Sequence, residues 1–97
     1  MIVINKKIID NCVYRHADSK KAMNKFVEKL MSAKCNNHAE LLRLFPYADF
    51  AGNDRYVFDV RGNNYRIVCL IVFAGGTAMV RFAGSHAEYD KIDAKTI

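Results

Sequence analysis

Between Arg81 and Lys91 the chain places Ser85, His86, Glu88, Tyr89, Asp90 and Lys91 in close succession, and five of these six side chains exchange protons or carry charge. An imidazole or a phenol acts as general acid or base when it lies within hydrogen-bond reach of the proton it moves. Arginine and lysine stabilise the negative charge that builds on a phosphorus centre during transfer. RNA brings its own nucleophile, the 2′-hydroxyl. A site made of His86, Tyr89, Arg66, Arg81 and Lys91 therefore suits RNA cleavage and calls for neither a protein nucleophile nor a metal ion. The residue types do not choose which of His86 and Tyr89 is the base. The plainer reading is a polar loop capping a sheet edge, with His86 bonded to backbone. The surroundings of the segment must decide between the two.

Those surroundings follow from periodicity, which changes once, near Pro46. Ile2 to Ile4 suits a short edge strand. Ile8, Ile9, Cys12 and Val13 recur at helical spacing, with Asn5 as cap and an end near His16. Asp18 or Ser19 is placed to cap a second helix whose stripe is Met23, Phe26, Val27, Leu30 and Met31, with Lys20, Lys21, Lys25 and Lys29 outside it. Asn37 and Glu40 fit a capping box for a short helix through Leu41, Leu42 and Leu44, closed by Pro46.

From Arg55 the period is two, with turns at Gly62-Asn63 and Gly75-Gly76, which predicts a three-strand antiparallel meander. Pairing Arg61 with Asn64 and Ala74 with Thr77 fixes the faces. Tyr56, Phe58, Val60, Tyr65, Ile67, Cys69, Ile71, Phe73, Ala78, Val80 and Phe82 share one, which must pack on the helices. Arg55, Val57, Asp59, Arg61, Asn64, Arg66, Val68, Leu70, Val72, Met79, Arg81, Ala83 and Ser85 share the other. An apolar face set with arginines suits a nucleic-acid strand, because guanidinium groups chelate phosphate and stack on bases. The alternative is a solvated face with an Asp59–Arg66 cross-strand pair. The expected fold class is α+β, with two to three N-terminal helices on one face of a small antiparallel sheet, in a single domain spanning 1–97.

Size and charge narrow the function classes. A chain of 97 residues has room for one core and none for a separate cofactor-binding unit, so no cofactor is expected. The excess of 15 Lys and Arg over 10 Asp and Glu, a net +5, favours a polyanionic or acidic partner. Cys12, Cys35 and Cys69 form no C-x-x-C pair and read as buried or idle thiols, leaving no metal cluster. No apolar run approaches the roughly 18 residues of a membrane span, and the opening residues reverse the order of a signal peptide. The expectation is a cytoplasmic protein with no membrane partner. His16 and His38 read as helix-end residues rather than catalysts.

The stretch from Gly52 to Val68, followed by Val80-Arg81-Phe82-Ala83-Gly84-Ser85-His86-Ala87-Glu88-Tyr89-Asp90-Lys91-Ile92-Asp93, resembles the HigB family of type II toxins. Phe45-Pro46 and Thr96-Ile97 extend the resemblance over essentially the whole chain. It implies the RelE/ParE-like fold and a metal-independent endoribonuclease that cuts mRNA on the ribosome. It also implies a cognate HigA-like antitoxin whose helix-turn-helix supplies any contact with DNA. On this resemblance Arg66, Arg81, His86, Tyr89 and Lys91 belong to the cleavage site, and Arg55, Arg61 and Asn64 to RNA contacts. The chain departs from many relatives in lacking tryptophan, with Phe26, Met31 and Cys35 in the helical half, and in having Ser85 where threonine is usual. A same-fold toxin that blocks a protein such as DNA gyrase, or a non-catalytic RNA-binding module, are the alternatives. A gyrase-type toxin would not need His86, Tyr89 and Lys91 beside arginines, and a binding module would hold RNA with strong salt dependence yet leave it whole.

Overall fold

Two turns and one bulge decide which side chains reach each face of the sheet. In the computed structural model, which describes residues 1–97, β3 (Arg55–Val60), β4 (Tyr65–Val72) and β5 (Thr77–Ser85) form the expected meander. β1 (Ile2–Ile4) is the expected edge strand, parallel to β5, and β2 (Asp49–Gly52) pairs with β3, so the sheet is mixed and runs β1-β5-β4-β3-β2. The sequence reading does not contain β2, because an Asp-Phe-Ala-Gly stretch has little strand preference of its own and is held extended by its neighbour.

The first turn fixes the predicted register, with Val60 opposite Tyr65 and Asp59 opposite Arg66. The second does not, because Val72, rather than Ala74, lies opposite Thr77. A shift of two leaves the faces unchanged. A bulge then changes them: Cys69 pairs with Val80 but Val68 with Phe82, so Arg81 is the extra residue and the alternation slips by one beyond it. Phe82 therefore leaves the helix-side core where it was expected, and Ala83 enters it, 3% exposed. The first turn holds a second correction. Arg61 has φ +55°, so its side chain leaves the strand's alternation and pairs with Asp18 on the helix side.

Helices α1 (Lys6–Arg15), α2 (Lys20–Ser32) and α3 (His38–Leu44) cover the predicted core face. The core includes Ile9, Cys12, Met23, Phe26, Val27, Leu30 and Leu41 packed on Phe58, Ile67, Cys69, Ile71 and Val80. Met31, placed in the stripe from spacing, is exposed at the last turn of α2. Two of the expected caps are absent. Asn5 adopts a left-handed conformation and makes no side-chain cap, while Ser19 ends a 3₁₀ turn that runs straight into α2 and its Oγ donates to the His16 carbonyl at 2.7 Å. The α3 cap holds with a change of partner: the Glu40 amide donates to Asn37 Oδ1 at 2.9 Å, but the Glu40 carboxylate takes the Asn36 amide. The three cysteines are buried and free, and burial pushes the Cys69 thiol up to about 12. No helix is long and apolar enough to cross a membrane.

The other face of the sheet is not an open platform. The segment after α4 (His86–Tyr89) folds back over it, so that Ile92, Ala94 and Ile97 cover Val57 and Val68, together with Phe82 and Tyr89. Asn53 Nδ2 donates to the Lys95 carbonyl at 3.1 Å, and Arg55 donates to the Ile97 main-chain oxygen through Nε at 2.8 Å and Nη2 at 2.6 Å. These bonds fasten the tail to the start of β3.

Candidate active site

The segment after β5 begins with a short helix, α4, from His86 to Tyr89, rather than running on as a loop. Ser85 Oγ accepts from the Glu88 amide at 3.2 Å and the Glu88 carboxylate accepts from the Ser85 amide at 2.8 Å, a complete capping box. The Ser85-x-x-Glu88 spacing is the signal that locates this helix. Glu88 also accepts from His16 Nε2 at 2.9 Å and lies 3.3 Å from Arg15 Nε. The Ser85 backbone bond, with help from His16 and Arg15, holds the Glu88 carboxyl down at about 2. Glu88 is thereby an ionised anchor between α4 and the end of α1, and not a proton-transfer group. His16 is more than a helix-end residue, since it carries one side of that anchor.

Gly84 makes the close approach possible. A Cβ there would meet Phe82 Cζ at 2.7 Å and Glu88 Oε1 at 2.9 Å. With no side chain at Gly84, Phe82 and α4 both close over the strand end.

Anchored this way, α4 brings three of the five catalytic candidates to one rim. His86 donates its amide to the Asn64 carbonyl at 3.1 Å, which seats it beside the β3–β4 turn. Its ring Nδ1 lies 3.1 Å from Asp90 Oδ2, one helical turn on. If the proton sits on Nδ1, facing the carboxylate, Nε2 is a free acceptor towards solvent. Tyr89 faces the sheet, with the Arg66 guanidinium 4.9 Å from its ring centroid and Phe82 edge-on at 6.2 Å. Arg66 Nε lies 3.2 Å from Asp59 Oδ1, inside ion-pair range but not aligned for a hydrogen bond, so this buried nitrogen has no bonded partner. The expected Asp59–Arg66 pair and the stacking of Arg66 on an aromatic ring thus coexist.

The remaining candidates lie apart from this rim. Arg81 stands out on the bulge with Nη1 3.7 Å from Met79 Sδ, directed back along β5, and Lys91 is exposed beyond α4. Arg55 is occupied with the tail, and it pairs with Leu70, about 13 Å along β4 from Arg66 at ~3.3 Å per residue. Arg61 is occupied with Asp18, which also accepts from the Tyr65 hydroxyl at 2.5 Å. That Tyr65 bond, foremost, holds the Asp18 carboxyl low. Asn64 is exposed in the turn and is engaged with His86 through its carbonyl.

Sequence reading missed the partners rather than the principals. Asp90 sits four residues after His86, a spacing that puts both on one helix face. Asp18, Arg15 and His16 carry no local pattern that joins them to the site, because Arg15 and His16 reach it through the packing of α1 on β5 and Asp18 through the 3₁₀ turn that meets Tyr65 and Arg61. No three His, Cys, Asp or Glu side chains are grouped to hold a metal ion.

Comparison with known proteins agrees with this architecture. The model of a family described as HigB_toxin, RelE-like toxic component of a toxin-antitoxin system, matches residues 19–92. The chain is also 29% identical over 94 residues to the mRNA interferase HigB of Escherichia coli O6:H1 (strain CFT073), an alignment that covers 95% of this chain and 91% of that relative.

Proposed function

Because the chain belongs to the HigB family of RelE-like toxins, the toxic components of toxin–antitoxin systems, we propose that it is an mRNA interferase that cuts messages while the ribosome reads them. The observation that carries this reading is the rim where His86, oriented by Asp90, stands beside Tyr89 stacked on Arg66. A 29% identical relative named for mRNA cleavage supports the same substrate class.

In this reading His86 Nε2 takes the proton of the 2′-hydroxyl and the freed oxygen attacks the adjacent phosphorus. The bond from phosphorus to the 5′-oxygen breaks, and the Tyr89 phenol gives its proton to that leaving oxygen. The products are a 2′,3′-cyclic phosphate and a 5′-hydroxyl, and proton exchange with water restores both side chains. Arg66, Arg81 and Lys91 balance the charge on the phosphorane. Arg81 and Lys91 carry no ion pair, so each is available to swing onto phosphate when RNA arrives. The nucleophile belongs to the substrate and the proton transfers to the protein, so no step calls for a metal. In this reading Asn64, exposed beside His86, contacts RNA, whereas Arg55 and Arg61 would first have to release the tail and Asp18. The partner is a HigA-like antitoxin with a helix-turn-helix that contacts DNA, and ribosomal action places the toxin in the cytoplasm.

The test is to express the chain without antitoxin, as wild type and as His86→Ala and Arg81→Ala. Wild type is expected to arrest growth and degrade messages with 5′-hydroxyl ends, and both variants to lose this. Growth arrest with intact messages would point to a protein target instead. Unchanged degradation by both variants would show that the site lies elsewhere.

A further inference from the structure

The tail that covers Val57 and Val68 leaves another part of the same face bare. There Ile4, Met79 and Leu70 stand in one row across three strands, and Ile2 and Val72 flank Thr77 in the next. Ile2 is 64% exposed, Val72 45% and Ile4 40%. Aliphatic side chains gathered on a flat sheet face in this way mark a contact surface.

Basic groups border the patch on the β5 side, while Asp54, whose carbonyl accepts from the Ile71 amide at 2.9 Å, lies on its β4 side. β1, β4 and β5 contain no Asp or Glu. Arg81 lies at the border with its guanidinium against Met79, and Lys6 and Lys7 open α1 one residue after β1. We infer that this patch is where the antitoxin docks, through a segment whose apolar side chains cover Ile2, Ile4, Val72 and Met79 and whose flanking carboxylates meet Arg81, Lys6 and Lys7. Family membership supplies the need for such a partner. The inference rests on that membership and not on RNA cleavage.

Other occupants fit less well. RNA bases stack on aromatic rings, and the patch has none. A second copy of this +5 chain would bring Arg81 and the two lysines against their like. A docked antitoxin would also hold Arg81, and so remove one phosphate-binding group without entering the His86 and Tyr89 rim.

The experiment uses the cognate antitoxin and toxin carrying Ile2→Glu or Val72→Glu, with Tyr14→Glu, a 91% exposed position on α1, as the comparison. Affinity is expected to fall by about tenfold or more for the two patch variants, because a buried glutamate would face apolar groups and like charge, and to stay unchanged for Tyr14→Glu. The patch variants should still arrest growth, and the antitoxin should no longer reverse it. Amide exchange of the wild-type complex provides a reading free of folding effects: β1 and β5 should gain protection relative to the free toxin. The inference is overturned if antitoxin binds and neutralises the patch variants as it does wild type, or if β1 and β5 gain no protection. It is equally overturned if the variants lose RNA cleavage but keep the antitoxin, or if free wild type is a dimer that they dissolve. Escape from antitoxin by a toxin that cuts no RNA would sink the nuclease reading and leave this inference standing.

Discussion

At the level of single residues, the site depends on groups whose partners define their state. Asp90, 3.1 Å from Nδ1, orients the His86 ring. Replacing His86 with alanine should lower cleavage by about 10²–10⁴-fold, the range for a general acid–base group. Asp90→Asn should lower it less, since the proposed base His86 would remain and only its orientation would weaken. Tyr89→Phe is the more informative change, because it keeps the ring under Arg66 and removes only the hydroxyl. Single-turnover cleavage with folding checked by circular dichroism should show a loss for Tyr89→Phe; an unimpaired variant would remove the phenol from the mechanism. The residue types of this site were legible in sequence. Their partners were not, because Asp18, Arg15 and His16 meet the site only after distant elements pack.

At the level of elements, the bulge and α4 decide where those residues stand. The alternation from Thr77 to Ser85 reads the same with or without an extra residue at Arg81, so sequence could fix the faces only up to that point. The register of β3 with β4 was legible because the Gly62-Asn63 turn sets it and a slip would bury Arg66 in the core. The tail was not, since Ile92, Ala94 and Ile97 follow no period. Gly84→Ala would force Phe82 and Glu88 apart and should cost about 1–3 kcal/mol, measured by denaturant unfolding.

The α4 anchor also has a pH signature. Glu88 titrates at about 2 in the folded chain against an ordinary 4.5, so its contribution is complete above pH 4.5 and is lost as pH falls towards 2. Thermal unfolding of wild type should weaken more across that window than that of Glu88→Gln, which has no charge there to lose. Parallel curves for the two proteins would show that the anchor adds nothing to stability.

Across the whole molecule, one layer of helices and one tail treat the two sheet faces differently. The helix side is a close-packed core, in which Ile67→Ala or Leu30→Ala should cost about 2–5 kcal/mol in unfolding. The opposite side is divided among the tail, the bare aliphatic patch and the rim with His86, Tyr89 and Arg66. With the proposed docking patch and the proposed cleavage rim on one sheet face, Arg81 is the residue the two would share. The net charge of +5 should draw the chain to RNA over a distance, with an association rate that falls as salt is added.

We propose that this chain cuts messages at the ribosome through the His86 rim. The most direct test is primer extension on a defined message in a reconstituted translation reaction, with wild type and His86→Ala compared side by side. Discrete new ends in the coding region are expected with wild type, none with His86→Ala, and none when ribosomes are omitted. Full-length message in the presence of active wild-type toxin, or the same new ends with His86→Ala, would contradict it.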